Sequence, residues 1–218
     1  MGTTAAEIKK RAEELRGQIT ADRRHLHQIP EIGMDLPGTA DYIRRRLDEM
    51  GIPWKNCGGD LPEKVTKDFV EAGFPRMERA VGITAVIGHG SPCILLRADM
   101  DALPIREDND LDFKSENGWG HMCGHDSHVA MLLGAAQILK EREDSLKGTV
   151  KLVFQPGEET GAGARVLVEN GLLENPKVDA AFGIHVQSVT KTGELGYAVG
   201  VNSASLDTFI VKIKGSGG

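Results

Sequence analysis

The stretch Gly120-His121-Met122-Cys123-Gly124-His125-Asp126-Ser127-His128 places three imidazoles, a thiol and a carboxylate within nine residues, then runs into the apolar segment 129–139. Donors packed this densely at the mouth of a helix stay idle or repel one another without a cation to share, so the stretch reads as a metal site. Cys123 and His125 alternate along the chain. In extended backbone their side chains point the same way and can reach one centre or two adjacent ones. Thiolate, imidazole and carboxylate together suit zinc, manganese, cobalt or nickel and do not suit magnesium or calcium.

Around this stretch the hydrophobic patterning alternates between strand and helix. Ile8, Leu15, Ile19, Leu26 and Ile29 recur at helical spacing over residues 4–29, where Pro30 ends the run. A second helix follows, with Thr39 as the expected cap and Gly51 as its stop. Residues 52–80, punctuated by Gly58-Gly59, Pro62 and Pro75, read as a surface excursion with a short helix at 67–72. Residues 81–87 and 93–98 are β-rich and read as adjacent strands joined by a turn. The unpatterned connection 102–120 is long enough to suggest a functional role. A helix from Asp126, its expected N-cap, to about Glu141 is apolar nearly all round. Strand 149–155, helix 162–170, strand 178–185 and strands 194–199 and 205–214 complete the reading. The alternation predicts an α/β fold with a mixed, largely parallel sheet flanked by helices.

Polar pairs fall where these strands end: Asp99 and Asp101 after one, Glu158 and Glu159 after another, His185 after a third. Ligands of open α/β sheets collect outside the carboxyl ends of strands, so the placement reinforces the metal reading. Adjacent residues in extended chain face opposite ways. One of Glu158 and Glu159 can therefore ligate while the other moves protons.

Composition removes several other functions. A net charge of -6 with no basic block argues against nucleic acid or a membrane surface as partner. No run approaches the roughly 18 apolar residues of a membrane span and the first residues lack a signal-peptide core, so a cytoplasmic location is expected. Three widely spaced cysteines form no disulfide framework, and Cys57 and Cys93 read as ordinary free thiols.

Five ordered segments carry a family resemblance: Leu26-His27-Gln28-Ile29-Pro30-Glu31, Arg97-Ala98-Asp99-Met100-Asp101-Ala102-Leu103-Pro104, the run 121–128, Gln155-Pro156-Gly157-Glu158-Glu159 and Phe182-Gly183-Ile184-His185. Together they resemble the amidohydrolase branch of the aminoacylase/carboxypeptidase-like dinuclear metallopeptidases, which includes hippurate, N-acyl-amino-acid and indoleacetyl-amino-acid hydrolases. The resemblance implies Cys123, His125, Glu159 and His185 as metal ligands, Glu158 as general base and Asp101 as the aspartate that orients the site. Asp99 stands where more distant relatives carry a ligating histidine and is assigned a supporting place. His121, Asp126 and His128 match recurrent positions without an assigned role. Two divalent transition ions are implied, manganese or zinc first, cobalt or nickel next.

The implied reaction is hydrolysis of an amide C–N bond in an N-acyl or aryl-acyl amino acid, by metal-activated water with Glu158 as base. Two alternatives are an aminohydrolase that releases ammonia from an aryl amine on the same scaffold, and a metal-binding or interaction module without catalysis. Three departures from the family pattern bear on this. Gly157 stands where alanine is common, Val186-Gln187-Ser188-Val189 replaces the usual Trp and Pro region, and residues 58–80 have no family counterpart. Residues 1–200 read as the catalytic domain, incomplete at its C-terminal side. Residues 201–218 resemble the first strand of a lid domain through which a homodimer would form. The expected continuation contains the lid histidine and the last metal-binding histidine, so the chain is expected to be part of a longer polypeptide, impaired in metal binding and activity unless those groups are supplied.

Overall fold

A computed structural model describes residues 4–201 together with 209, 211 and 213–215. Among the described residues, β1 (Trp54–Asp60), β2 (Arg79–His89), β3 (Cys93–Asp99), β4 (Gly148–Gln155) and β5 (Ala180–Gly183) form one mixed sheet in the order β1-β2-β4-β3-β5. β3 runs parallel to both β4 and β5, while β2 is antiparallel to β1 and β4. The three parallel strands therefore finish at one edge, where the polar pairs of the sequence lie.

Alternation along the strands splits the core in two. Leu152 and Phe154 of β4 face one side with Ala98 of β3, under α2 (Arg16–Gln28), α3 (Pro37–Glu49) and α5 (His125–Lys140). Val153 and Leu95 face the other, where Leu167 of α6 (Gly163–Glu169) covers them with Leu172. Each fully buried large side chain contributes about 1.5–3 kcal/mol. On the α6 side buried Lys151 donates to the carbonyls of Leu172 (2.6 Å) and Glu174 (2.8 Å), which fixes the turn after α6. α5 is the central helix, buried on several sides as its composition predicts. A Cβ on Gly134 would lie 2.7 Å from Ile19 Cδ1, so the absence of a side chain there lets α2 approach closely.

Several sequence expectations are corrected. The first helix is two, α1 (Ala5–Glu14) and α2, separated at Leu15; the apolar stripe continues across the break, so spacing alone does not reveal it. Thr39 does not cap α3. Leu36 holds the cap position and Pro37 the first turn, while the Glu31 carboxylate accepts from the N–H groups of Gly38 (3.0 Å) and Thr39 (2.8 Å). Residues 52–80 are more than a surface excursion. β1 extends the sheet, and α4 (Glu63–Glu71) buries Phe69 in a cluster with Leu61, Met77 and Met34.

β2 and β3 are joined by a turn but are not sheet neighbours, because β4 pairs between them. α5 is capped by Gly124 in the left-handed region (φ 82°) and not by Asp126. The strand expected at 178–185 is shorter, ending at Gly183. Residues 194–199 form no strand and are exposed. The strand expected at 205–214 falls mostly outside the described residues. Among the described residues no helix is long and apolar enough to cross a membrane.

Candidate metal centre

The centre is assembled from the ends of β3, β4 and β5 and the start of α5. Asp101, fully buried two residues past β3, is its scaffold. Its carboxylate accepts from the backbone N–H of Glu158 (3.1 Å) and of Glu159 (3.0 Å). Its carbonyl lies 2.8 Å from His125 Nδ1. A carbonyl only accepts, so Nδ1 carries a proton and, in the neutral imidazole, Nε2 is the nitrogen whose lone pair faces the site. The same logic applies to His185, whose Nδ1 lies 2.6 Å from the Val186 carbonyl. Its Nε2 faces Cys123 Sγ at 3.5 Å.

His125 Nε2 is thus the hub. It lies 3.8 Å from a carboxylate oxygen of Glu158 and 3.8 Å from one of Glu159. Cys123, His125 and His185 offer ligand atoms within 4.8 Å of one another, as do His125, Glu158 and Glu159. Bonds of about 2.0–2.3 Å to a tetrahedral ion place its donors about 3.3–3.8 Å apart, so the closest of these separations already suit an ion between them. His125 Nε2 and Glu159 Oε1 are buried without a hydrogen-bond partner. Buried polar atoms are rarely left so, and these two face each other. The residues fit a metal.

A third group, Asp99 with His125 and His128, does not fit one despite similar proximity. His128 Nε2 accepts from the Val186 N–H (2.9 Å), and its Nδ1 donates to Asp99 Oδ1 (2.5 Å). The other Asp99 oxygen pairs with Arg97 Nη1 at 2.6 Å, and Arg97 Nε donates to Gln155 (2.9 Å). Both imidazole nitrogens of His128 are engaged, leaving none for an ion.

The electrostatics agree. Burial, then the neighbouring Glu159 and Glu158 charges, push the Cys123 thiol up to about 11. It is a thiol at neutral pH and no nucleophile unless a cation draws off its proton. Burial also raises Glu159, with Glu158 and Asp101 adding to the effect against His125. Burial alone would raise Asp99, but the His128 hydrogen bond and the Arg97 and His125 charges outweigh it and bring it down to about 2. Burial lowers His125, but Asp101 and Asp99 outweigh it and leave it raised.

Of the residues expected from sequence, Asp101, Cys123, His125, Glu158, Glu159 and His185 all meet here. The outer network of Arg97, Gln155 and the Val186 N–H was not singled out. Their signal, an Arg and a Gln at parallel strand ends, is visible only once β3 and β4 are known to pair. A second cluster lies behind α5. His27 Nδ1 faces Asp126 at 2.7 Å and its Nε2 faces Glu107 at 2.8 Å. Arg23 also reaches Asp126 (3.0 Å), and the Ser115 N–H reaches Glu107 (2.7 Å). His121 is buried beside them with neither nitrogen hydrogen-bonded, and burial pushes it down to about 4, so it is neutral.

Fold and site define a class: an α/β domain with a cluster of side chains that could hold a metal ion at the carboxyl ends of parallel strands. Residues 95–215 match the model of peptidase family M20/M25/M40, and the chain belongs to that family. It is 43% identical over 198 residues to "IAA-amino acid hydrolase ILR1-like 5" of Arabidopsis thaliana, covering 90% of this chain and 40% of the relative. It is 39% identical over 205 residues to "N-acetyl-L-cysteine deacetylase" of Bacillus subtilis, covering 93% of this chain and 44% of the relative. Among solved structures it is similar to the Bacillus subtilis YXEP protein, described as a dinuclear metal binding peptidase of the M20 family. That match has a TM-score of 0.66 and 36% identity, covering 81% of this chain and 45% of that one. The chain thus spans less than half the length of these three relatives.

Proposed function

We propose that this chain is the catalytic part of a metal-dependent amidohydrolase that cleaves the amide C–N bond of an N-acyl or aryl-acyl amino acid. The observation that carries the reading is the pair of imidazole Nε2 atoms and the Cys123 thiol converging beside the unpaired buried oxygen of Glu159. By its name the Bacillus subtilis relative deacetylates an N-acetylated amino acid, and by its name the Arabidopsis thaliana relative hydrolyses an IAA-amino acid, which supports a substrate of the same kind here.

Cys123, His125, Glu159 and His185 would hold two divalent ions, manganese or zinc first and cobalt or nickel next. Bound there, such ions supply Lewis acidity toward a carbonyl and make water acidic enough to ionise near neutral pH. Glu158 does the proton work. Its backbone is fixed by Asp101 while its side chain remains 40% exposed, so the carboxylate can take a proton from water and return it to the leaving amine. Asp101 positions Glu158, Glu159 and His125 together and touches no substrate. Residues 1–200 form the catalytic domain and residues 201–218 begin a lid through which two copies pair, in the cytoplasm.

The test is Glu158→Gln. Metal content should match the unsubstituted protein, while release of free amino acid from an N-acyl amino acid falls by about 10²–10⁴-fold. Activity surviving within tenfold would remove Glu158 as base. Release of ammonia from an aryl amine in place of free amino acid would favour the aminohydrolase reading.

A further inference from the structure

His185 has a weak hold on the fold. β5 ends at Gly183, and His185 lies beyond it on an exposed segment. Its Nδ1 bonds only to the neighbouring carbonyl of Val186, which moves with it. Apart from the long contact of its Nε2 with Cys123 Sγ (3.5 Å), the anchor to the rest of the domain comes one residue later, where the Val186 N–H donates to His128 Nε2. The rings of His128 and His185 also meet edge to face with centroids 4.7 Å apart. Val186 closes over Gly124, where a Cβ would lie 2.4 Å from its Cγ2.

We propose that His128 is the positioning residue for His185. It is held by Asp99, Arg97 and Gln155 from two strands, and through the Val186 N–H it sets where the His185 imidazole meets Cys123. Each link has a fixed direction: Arg97 Nε donates to Gln155, Arg97 Nη1 pairs with Asp99, His128 Nδ1 donates to Asp99, and the Val186 N–H donates to His128 Nε2. His128 is 2% exposed and Asp99 fully buried, so a rigid interior controls a ligand that the sheet itself does not carry.

The inference rests on the metal reading of the site, and its test separates the two. In metal-free protein, His128→Phe keeps the ring and deletes both nitrogens, so the Val186 amide should exchange with solvent about tenfold faster, the equivalent of one net hydrogen bond. His128→Gln, whose amide can donate to Asp99 and accept from Val186, should restore protection. In cobalt titrations H128F should lose about 10–100-fold in affinity for one ion, H128Q should recover most of it, and the thiolate-to-cobalt absorption of Cys123 should persist in both. Unchanged Val186 exchange together with unchanged cobalt affinity in H128F would overturn the assignment. If the unsubstituted protein takes up no cobalt, the metal reading fails while the exchange measurement still decides the role of His128. Should H128F not fold, Val186→Pro removes the donor from the exposed side and is expected to weaken cobalt binding as H128F does; binding as tight as in the unsubstituted protein would overturn the assignment.

Discussion

Asp126 and His125 are adjacent in sequence yet belong to opposite kinds of polar cluster. Behind α5, His27 lies between Asp126 and Glu107, and each carboxylate has further donors in Arg23 and in the Ser115 N–H. In front of α5, His125 Nε2 and Glu159 Oε1 have no hydrogen-bond partner, although thiol, imidazole and carboxylates crowd around them. The residue types are the same. The difference lies in the charged groups: behind α5 each carboxylate finds its donors and the unbonded ring, His121, is neutral, whereas in front of it a carboxylate oxygen and an imidazole nitrogen face each other without a hydrogen bond.

The sharpest way to break this contrast is His27→Leu. It leaves Glu107 and Asp126 buried without the imidazolium between them and should cost about 3–5 kcal/mol in urea unfolding of metal-free protein. A loss no larger than that of an ordinary surface substitution would place the two clusters in one class.

A smaller effect should appear as a pH slope. The hydrogen bond to Asp126 raises His27 against the opposing effect of burial, with Glu107 adding to it. A raised imidazole stabilises the fold fully below its unfolded value of about 6.5 and loses that contribution as pH rises through the folded value. The stability gap between unsubstituted protein and H27L should therefore narrow above neutral pH, and a gap that widens would reverse the assignment of charge.

The smallest expected effect has the opposite sign. Glu159 is raised by burial and by its acidic neighbours, so its ionised form is disfavoured in the metal-free fold. Glu159→Gln should stabilise metal-free protein at pH 7 by about 0.5–1 kcal/mol while weakening metal binding. A loss of stability would mean that the front cluster is self-sufficient after all.

Much of this was legible in sequence because strand-end position and residue chemistry are local. Asp99, Asp101, Glu158, Glu159 and His185 each follow a β-rich run, and the parallel set of β3, β4 and β5 brings those ends together. What was hidden depended on pairing across the chain. The turn between β2 and β3 reads as a hairpin, yet β2 and β3 pair on opposite sides of β4, which comes much later in sequence. β1 was masked by Gly58-Gly59, which read as a turn although both lie within the strand. The motif Leu26–Glu31, read only as a signature, is structural in three ways: Leu26 packs in the core, His27 joins the buried cluster, and Glu31 caps α3. Capping by a distant carboxylate leaves no local trace, so Thr39 looked the better candidate. Residues 194–199 carry strand-like composition, yet Leu195, Tyr197 and Val199 are 75–93% exposed, because composition does not supply a neighbouring strand.

Asp101 gives the centre a particular vulnerability. One side chain fixes two consecutive amides on one wall, and the carbonyl of the same residue dictates which nitrogen of His125 is bare on the other. Changes to the two walls are therefore not independent events: a shift in the Glu158–Glu159 turn is transmitted to the His125 ring through a single residue. Double-mutant cycles spanning the walls should be strongly non-additive.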